Sequence, residues 1–519
     1  MRTPSVSKSP NRSQVVRLKS IPAPIGGWNA IDALANMKET EAVVLDNFFP
    51  KTGYCELRGG SDEFATDMTG TGKTLMVYNG LSGLNKMFCA TESGVYDVSS
   101  AGPVGAAVAS RTNGKHVCKM FGDGTNQWLI AVNGVDKPLY FDGSTWTEVD
   151  GVTTPALTGI TTTSLVSIGM LKGRLFFIAN DQMAFWYLSA GAAGGALTKF
   201  DLSGVAQKGG YLMAMESWTL DSGQGPDDRM VFVTSKGEVM VYQGDNPSSN
   251  WSMVGLYETG SPLGRKCIAK SGSDLVILTE NGAFSINTII QTTSSNYSYA
   301  VSRKIEEAFN GAARSYGSNF GWEAVIYPAQ SAVLVNVPLA EDGTHHQYVM
   351  NTITQKWCRF IGWDAESFAV FNNELYYCQG TSVIKAWTGA ADQGANIEAY
   401  GKHAFSYFGS GTQLKDFKLF RPILKSNGSI EYLIDIDVDY DDNDIIGNIS
   451  SSSTTFGSVW DTAKWDIAKW GGSSGINKNW QSVNEWPGFC ASGKIKVATN
   501  SLSVQWISSD YVYEMCGII

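Results

Sequence analysis

The chain is poor in charge: of its 519 residues, 17% are Asp, Glu, Lys or Arg. Proline is scarce at 15 and histidine scarcer at 4. So few histidines leave little material for acid–base or metal chemistry. The eight cysteines, at 55, 89, 118, 267, 358, 378, 490 and 516, form no C-x-x-C. That spacing argues against a zinc site and for reduced, mostly buried thiols in a chain folded in a cytoplasm. No apolar run approaches the ~18 residues of a spanning helix. Residues 1–20 hold no apolar signal region, so a soluble chain with no membrane anchoring, not exported by the usual route, is expected. A basic excess is missing too, since the formal net charge is −10. Proteins that grip nucleic acid through its phosphates are usually basic. This chain should be repelled by DNA on average, which allows a role beside DNA but argues against holding it.

Glycine and aromatic residues are abundant instead. There are 56 glycines, aromatics make up 12% and hydrophobic residues 43%. Short strands joined by tight turns fit that composition, and the length implies more than one domain. The first 20 residues carry Arg2, Lys8, Arg12, Arg17 and Lys19 and no acid. They read as a basic disordered arm, with an arm that orders on a partner or on nucleic acid as the other reading. Residues 21–72 form an N-terminal segment. In it Asn36 and Glu39 predict a capping box opening a short helix through Ala42, Val43 and Leu45, stopped by Pro50.

From 73 to 395 a unit recurs: an apolar strand, a polar turn, then a second strand ending near an aromatic. Tyr96, Tyr140, Trp186, Tyr242, Phe284, Trp357 and Trp387 mark the copies, at separations of 44, 46, 56, 42, 73 and 30. The average of about 48 falls in the range of a β-propeller blade. A blade cannot bury both faces alone, and radial stacking covers them. The expectation is therefore all-β: a propeller of about seven blades, within a range of six to eight. A pair of β-sandwiches is the competing architecture. The 73-residue gap holds "SRKIEEAFNGAARSYG", which predicts a helical insertion over 302–317 after a Ser302 cap. Residues 396–519 lose the rhythm and form a second β domain, ending in a predicted hairpin, "KIKVATNSLSVQWISSDYVYEM".

Four stretches invite chemistry. "TGTGKT" lacks the first glycine of a phosphate loop, since Asp67 stands there, and no helix can follow "LMVYNGLSG". It reads as a turn into the first blade, with Lys73 an ordinary turn lysine whose change to Ala is silent. "YFDGSTWTEV" resembles one Asp-box turn of sialidase-type propellers, without the spacer after Asp142. It reads as an Asp-Gly turn. In "SIEYLIDIDVDYDDND", Asp435, Asp437, Asp439 and Asp441 alternate with apolar residues, so one strand face carries four carboxylates. A solvated face is one reading and a functional acidic wall the other; the pattern lacks the glycine and closing Glu of a calcium loop. His345 and His346, adjacent on a strand, point apart and cannot chelate together. No catalytic set, cofactor site or metal site emerges, and the chain is not expected to be an enzyme. "SVWDTAKWDIAKWGG" places Trp460, Trp465 and Trp470 five residues apart, as surface anchors.

The stretch "GGWNAIDALANMKETEAVVLDNFFPKTGYCELRGG" resembles the opening of tail nozzle, or tail hub, proteins of short-tailed bacteriophages (podoviruses). Gly26, Gly27, Trp28, Asn29, Leu45, Asp46, Asn47, Phe49, Pro50, Gly53, Arg58 and Gly60 carry the likeness. "KGGYLMAMESWTLDSGQGPDDRMVFVTSKGEVMVYQGDNPSS", "QYVMNTITQKWCRFIGW", "AFSYFG" and the Trp-Asp repeat extend it over most of 21–519. The resemblance implies a structural virion protein of the phage tail, made in the host cytoplasm. It implies a ring, usually a homohexamer, on the head-to-tail conduit below portal and adaptor proteins. Tail needle, tip or fibre proteins are its other implied partners. Double-stranded DNA would pass during ejection without specific binding. On that reading Asp435, Asp437, Asp439 and Asp441 line a repulsive bore, and Trp460, Trp465 and Trp470 anchor the subunit interface. A propeller glycosidase or sialidase, and a glycan-binding receptor module, are the alternatives.

Overall fold

The computed structural model describes residues 16–516 apart from 82, 222–225, 293–296, 446, 448, 450–453, 456–474 and 484–486. The chain forms two compact units, Arg58–Ala395 and a unit built from Met1–Leu57 with Asn396–Ile519. The units divide at 57/58 and 395/396, beside expected bounds of 72/73 and 395/396; residues up to 57 join the C-terminal domain and the next unit starts at Arg58.

The Arg58–Ala395 unit is a β-propeller. Among its described residues, seven antiparallel ladders of three or more strands follow one another along the chain. Their first strands are Thr74–Tyr78, Val117–Gly122, Leu165–Leu171, Leu212–Asp221, Ile268–Ser271, Glu323–Tyr327 and Ser367–Phe371. Neighbouring ladders touch in order, and the seventh meets the first, so the circle closes. Hydrogen bonding closes the circle as well: the early strand Ser61–Thr66 pairs with Ser382–Ala386 of the seventh ladder. Six aromatic markers fall in successive ladders and the seventh, Trp387, sits one residue past Ala386.

The hydrophobic clusters explain why the ladders stack. Phe121, Ile130 and Tyr140 of the second ladder pack with Ile168, Phe177 and Trp186 of the third. Phe176 and Phe185 of the third pack with Phe232 and Tyr242 of the fourth. Each side chain so buried contributes about 1.5–3 kcal/mol, and none could be covered by its own ladder. The first and seventh ladders meet through Leu75, Cys89, Tyr376 and Cys378. Gly72 lies at that seam, where an added Cβ would stand 2.8 Å from Cys89 Sγ and 2.9 Å from Cys378 Cβ. The predicted insertion is present as the helix Glu306–Tyr316. Ser302 does not cap it; its hydroxyl accepts the Ala283 N–H instead.

The other unit is two packed sheets. One runs Phe48–Pro50, Cys55–Leu57, Val504–Met515, Lys415–Ser426 and Gly475–Asn477. The other contains Glu41–Asp46, Ile397–His403, Ala491–Thr499 and Tyr432–Val438 in that order. Phe417, Phe420, Tyr511 and Tyr513 of the first meet Ile436 and Val438 of the second. Three expectations change here. Residues 41–46 are a strand, not a helix: pairing to Ile397–His403 and the β-branched Val43 and Val44 outweigh the local Asn36/Glu39 pattern. Val16–Pro22 is a strand on Val504–Met515, so the last residues of the basic arm are ordered. Ala491–Thr499 and Val504–Met515 are no hairpin, since they pair in different sheets.

Candidate functional site

The N-terminal motif residues turn out to be joints of the fold. Gly27, at φ 80, lets the chain lay Trp28 beside Ala42. An added Cβ on Gly26 would meet Thr40 O at 2.7 Å. Asn29 donates to Glu41 at 2.7 Å and Asp32 at 2.8 Å, and accepts the Asp32 N–H. Leu45, Asp46 and Phe49 are buried, and Asn47, at φ 57, donates to Glu398 O at 2.7 Å. Pro50 closes its strand before a turn at Gly53, φ 92. In the propeller, a Cβ on Gly60 would come within 2.0 Å of Ala391 O. Arg58 is fully buried there: it holds Asp392 with two bonds, of 2.9 and 2.6 Å, and donates to Ile361 O at 2.7 Å. Its guanidinium lies 4.6 Å from the centre of the Trp363 ring.

The four aspartates do not share one wet face. Only Asp435 and Asp437 lie in the strand, which ends at Val438. Asp439 and Tyr440 then take left-handed backbone, φ 48 and 71, which breaks the alternation. Asp439 turns its carboxylate to the Phe489 and Cys490 N–H groups, at 2.7 and 3.1 Å. Asp437 is 1% exposed, 2.7 Å from Lys402 and 2.6 Å from Lys494. Lys494 also meets Asp435 at 3.0 Å, and Lys402 meets Asp442 at 2.7 Å. Asp441 and Asp442 are exposed on the following turn. Both lysines are buried, and no local pattern around them signals it. Their carboxylate partners were visible, but a buried charge needs a partner strand, and strand pairing is non-local. Trp460, Trp465 and Trp470 lie outside the described residues.

The propeller holds a part-open cavity of about 380 Å³, lined by residues from several ladders and their loops. Its wall mixes Lys115, Arg265 and Lys266 with Glu323, Glu341 and Glu366. Each glutamate is engaged. Glu341 takes the Phe320 N–H at 2.9 Å and Lys115 at 3.3 Å. That N–H bond holds its pKa below the ordinary value. Glu323 takes Lys266 at 3.2 Å and the Phe368 N–H. Glu366 takes the Asp342 N–H at 2.7 Å and stands 3.5 Å from Lys73. His116, 2% exposed, also lines the cavity, and burial pulls its pKa down to about 4.

Lys73 is therefore not an ordinary turn lysine. It is 1% exposed and paired with Asp342 and Glu366. Burial works against its charge, but the two carboxylates outweigh it, so its pKa stands above the usual value. Lys73→Ala would leave Glu366 buried without its cation. The variant is expected to lose about 3 kcal/mol, seen as a lower urea midpoint; an unchanged midpoint would make the side chain dispensable. Because the folded pKa is the higher one, the lysine's contribution is complete at neutral pH. It is lost only as pH rises from about 10.5 through the folded value.

The Asp142 turn is as expected: its carboxylate accepts the Ser144 and Thr145 N–H groups. All eight cysteines are unbridged, six of them buried. Among the described residues, no group of three or more His, Cys, Asp or Glu could hold a metal ion. No helix among them is long and apolar enough to cross a membrane.

No protein-family model matches the chain, and no curated protein matches it. Solved structures are similar at the level of fold. The WD40 domain of Neurospora crassa Pan2 aligns at 8% identity and a TM-score of 0.38, over 63% of this chain and 97% of that one. YCF48 from Cyanidioschyzon merolae aligns at 11% identity and 0.33, over 64% and 96%. The extracellular domain of a B. thetaiotaomicron hybrid two component system aligns at 9% identity and 0.39. There the match covers 63% of this chain and 40% of that longer one. At such identity no activity or partner passes from these proteins to this chain.

Proposed function

We propose that this protein is a structural component of a short-tailed phage tail: a nozzle or hub subunit that assembles into a ring, six-fold by resemblance. The ring would conduct DNA from portal and adaptor proteins during ejection. The observation that carries the reading is the block from Gly26 to Gly60. Its motif residues sit where the backbone, a buried ion pair or a tight turn permits few alternatives, so the likeness rests on fold-determining positions rather than on composition. The net charge of −10 adds to it, since a ring of acidic subunits does not grip a passing duplex. The bore is assigned to the acidic surface as a whole, with the exposed Asp439, Asp441 and Asp442 as its local candidates; Asp437, neutralised by two lysines, contributes little field.

The hydrolase alternative is less well supported. A glycosidase needs an acid with a raised pKa beside a second free carboxylate. The cavity's three glutamates are instead tied to lysines and backbone N–H groups. Negative-stain microscopy of the purified protein tests the proposal. Closed rings with a central hole are expected. A monomer at micromolar concentration that cleaves a reporter glycoside would replace the reading.

A further inference from the structure

The cavity's charges are unevenly matched. Lys115 and Lys266 each face a glutamate, and the three glutamates are each held by a cation and a backbone N–H. Arg265 differs. Among the described residues no carboxylate lies within ion-pair distance of its guanidinium; Nη2 donates to Asn180 Oδ1 at 3.0 Å, and the buried Nη1 has no partner. His116, nine-tenths buried and more, lines the same cavity, with the Gly114 carbonyl beside its ring. An unsatisfied buried donor costs free energy, and a wall that keeps the Arg265 Nη1 group beside an open volume is suited to a polar guest. Asn113, Ser318 and Asn319 add further polar groups to the lining, and Phe320 and Trp322 add ring surface. A volume of about 380 Å³ suits a molecule the size of one sugar.

We propose that this cavity binds a small, hydroxyl-rich organic anion, whose carboxylate or phosphate is taken by Arg265. The guanidinium fork matches either oxyanion in two-toothed fashion. The neutral His116 ring and the asparagines face its hydroxyls. Lys115 and Lys266 keep their glutamates and supply field rather than the main contact. The site goes beyond the ring reading and does not depend on it, since assembly and small-molecule binding are measured separately.

Calorimetric titration of the full chain with glucuronate, glucose 6-phosphate and glucose tests the inference. At least one of the two anions is expected to bind saturably at millimolar concentration or tighter, and neutral glucose far more weakly. Binding of glucuronate alone assigns a carboxylate guest, and of glucose 6-phosphate alone a phosphate guest. Arg265→Gln is expected to weaken the bound anion at least about tenfold. Arg265→Lys, which keeps the charge and loses the fork, should weaken it several-fold and serves if the first variant fails to fold. Absence of binding by both anions, equal binding of glucose, or full affinity in either variant would overturn the proposal.

Discussion

Asp437→Ala is expected to lower the unfolding free energy by about 3–5 kcal/mol. The carboxylate is 1% exposed and bonded to two lysines that are themselves 2% and 0% exposed. Removing it leaves two ammonium groups out of water, one facing the part-exposed Asp435 and the other the exposed Asp442. Breaking a buried pair in this way costs far more than the pair itself contributes, because the remaining charge keeps its desolvation penalty. The same physics predicts the opposite for a complete replacement. Asp437→Leu combined with Lys402→Met and Lys494→Met should recover most of the loss. Denaturant unfolding followed by near-ultraviolet dichroism checks both. A single variant with an unchanged midpoint would show that the network is not buried in solution. A triple variant as unstable as the single one would show that the charges serve more than each other.

Arg58→Ala should be as damaging to the propeller. The side chain is fully buried, holds Asp392 with two bonds, and donates to the carbonyls of Gly59 and Ile361. Its guanidinium also lies over the Trp363 ring, whose indole N–H donates to Asp392 at 3.2 Å. Truncation would leave Asp392 without its cation and two carbonyls without this donor, and open a cavity, for a loss of about 4–5 kcal/mol. Arg58→Lys should rescue little of it, since one ammonium cannot span a carboxylate and two carbonyls in the plane of the guanidinium. Unfolding midpoints of the three proteins decide this. A lysine variant as stable as the parent would reduce the role of Arg58 to its charge.

Much of the propeller was legible in the sequence because its signal is local and repeated. Each ladder needs an apolar strand, a turn and an aromatic, so Tyr96, Tyr140, Trp186, Tyr242, Phe284, Trp357 and Trp387 could be read off one by one. The helix at Glu306–Tyr316 was legible for the same reason, as a run with its own period. What failed was pairing at a distance. Asn36 and Glu39 form a helix-start pattern ahead of Glu41–Asp46, yet in that stretch Asp46 pairs with Tyr400, more than three hundred residues away. Ala491–Thr499 and Val504–Met515 looked like a hairpin because they are neighbours in sequence, yet each found its partners in another sheet.

The candidate sites divide along the same line. By itself the sequence determined the composition of the problem: a charge-poor, glycine-rich, all-β chain with a repeating propeller unit, an acidic surplus and a block of motif residues from Gly26 to Gly60. Only the tertiary structure decided which charges are free. Asp437 and Lys73 looked like surface residues in an acidic strand and a polar turn, and both are buried in ion pairs. Arg265, which no sequence pattern singles out, is the cavity cation with no carboxylate within ion-pair distance among the described residues. The reason is physical: a charge is felt through its distance to other charges and its depth from water, and neither quantity exists until strands far apart in the chain have packed.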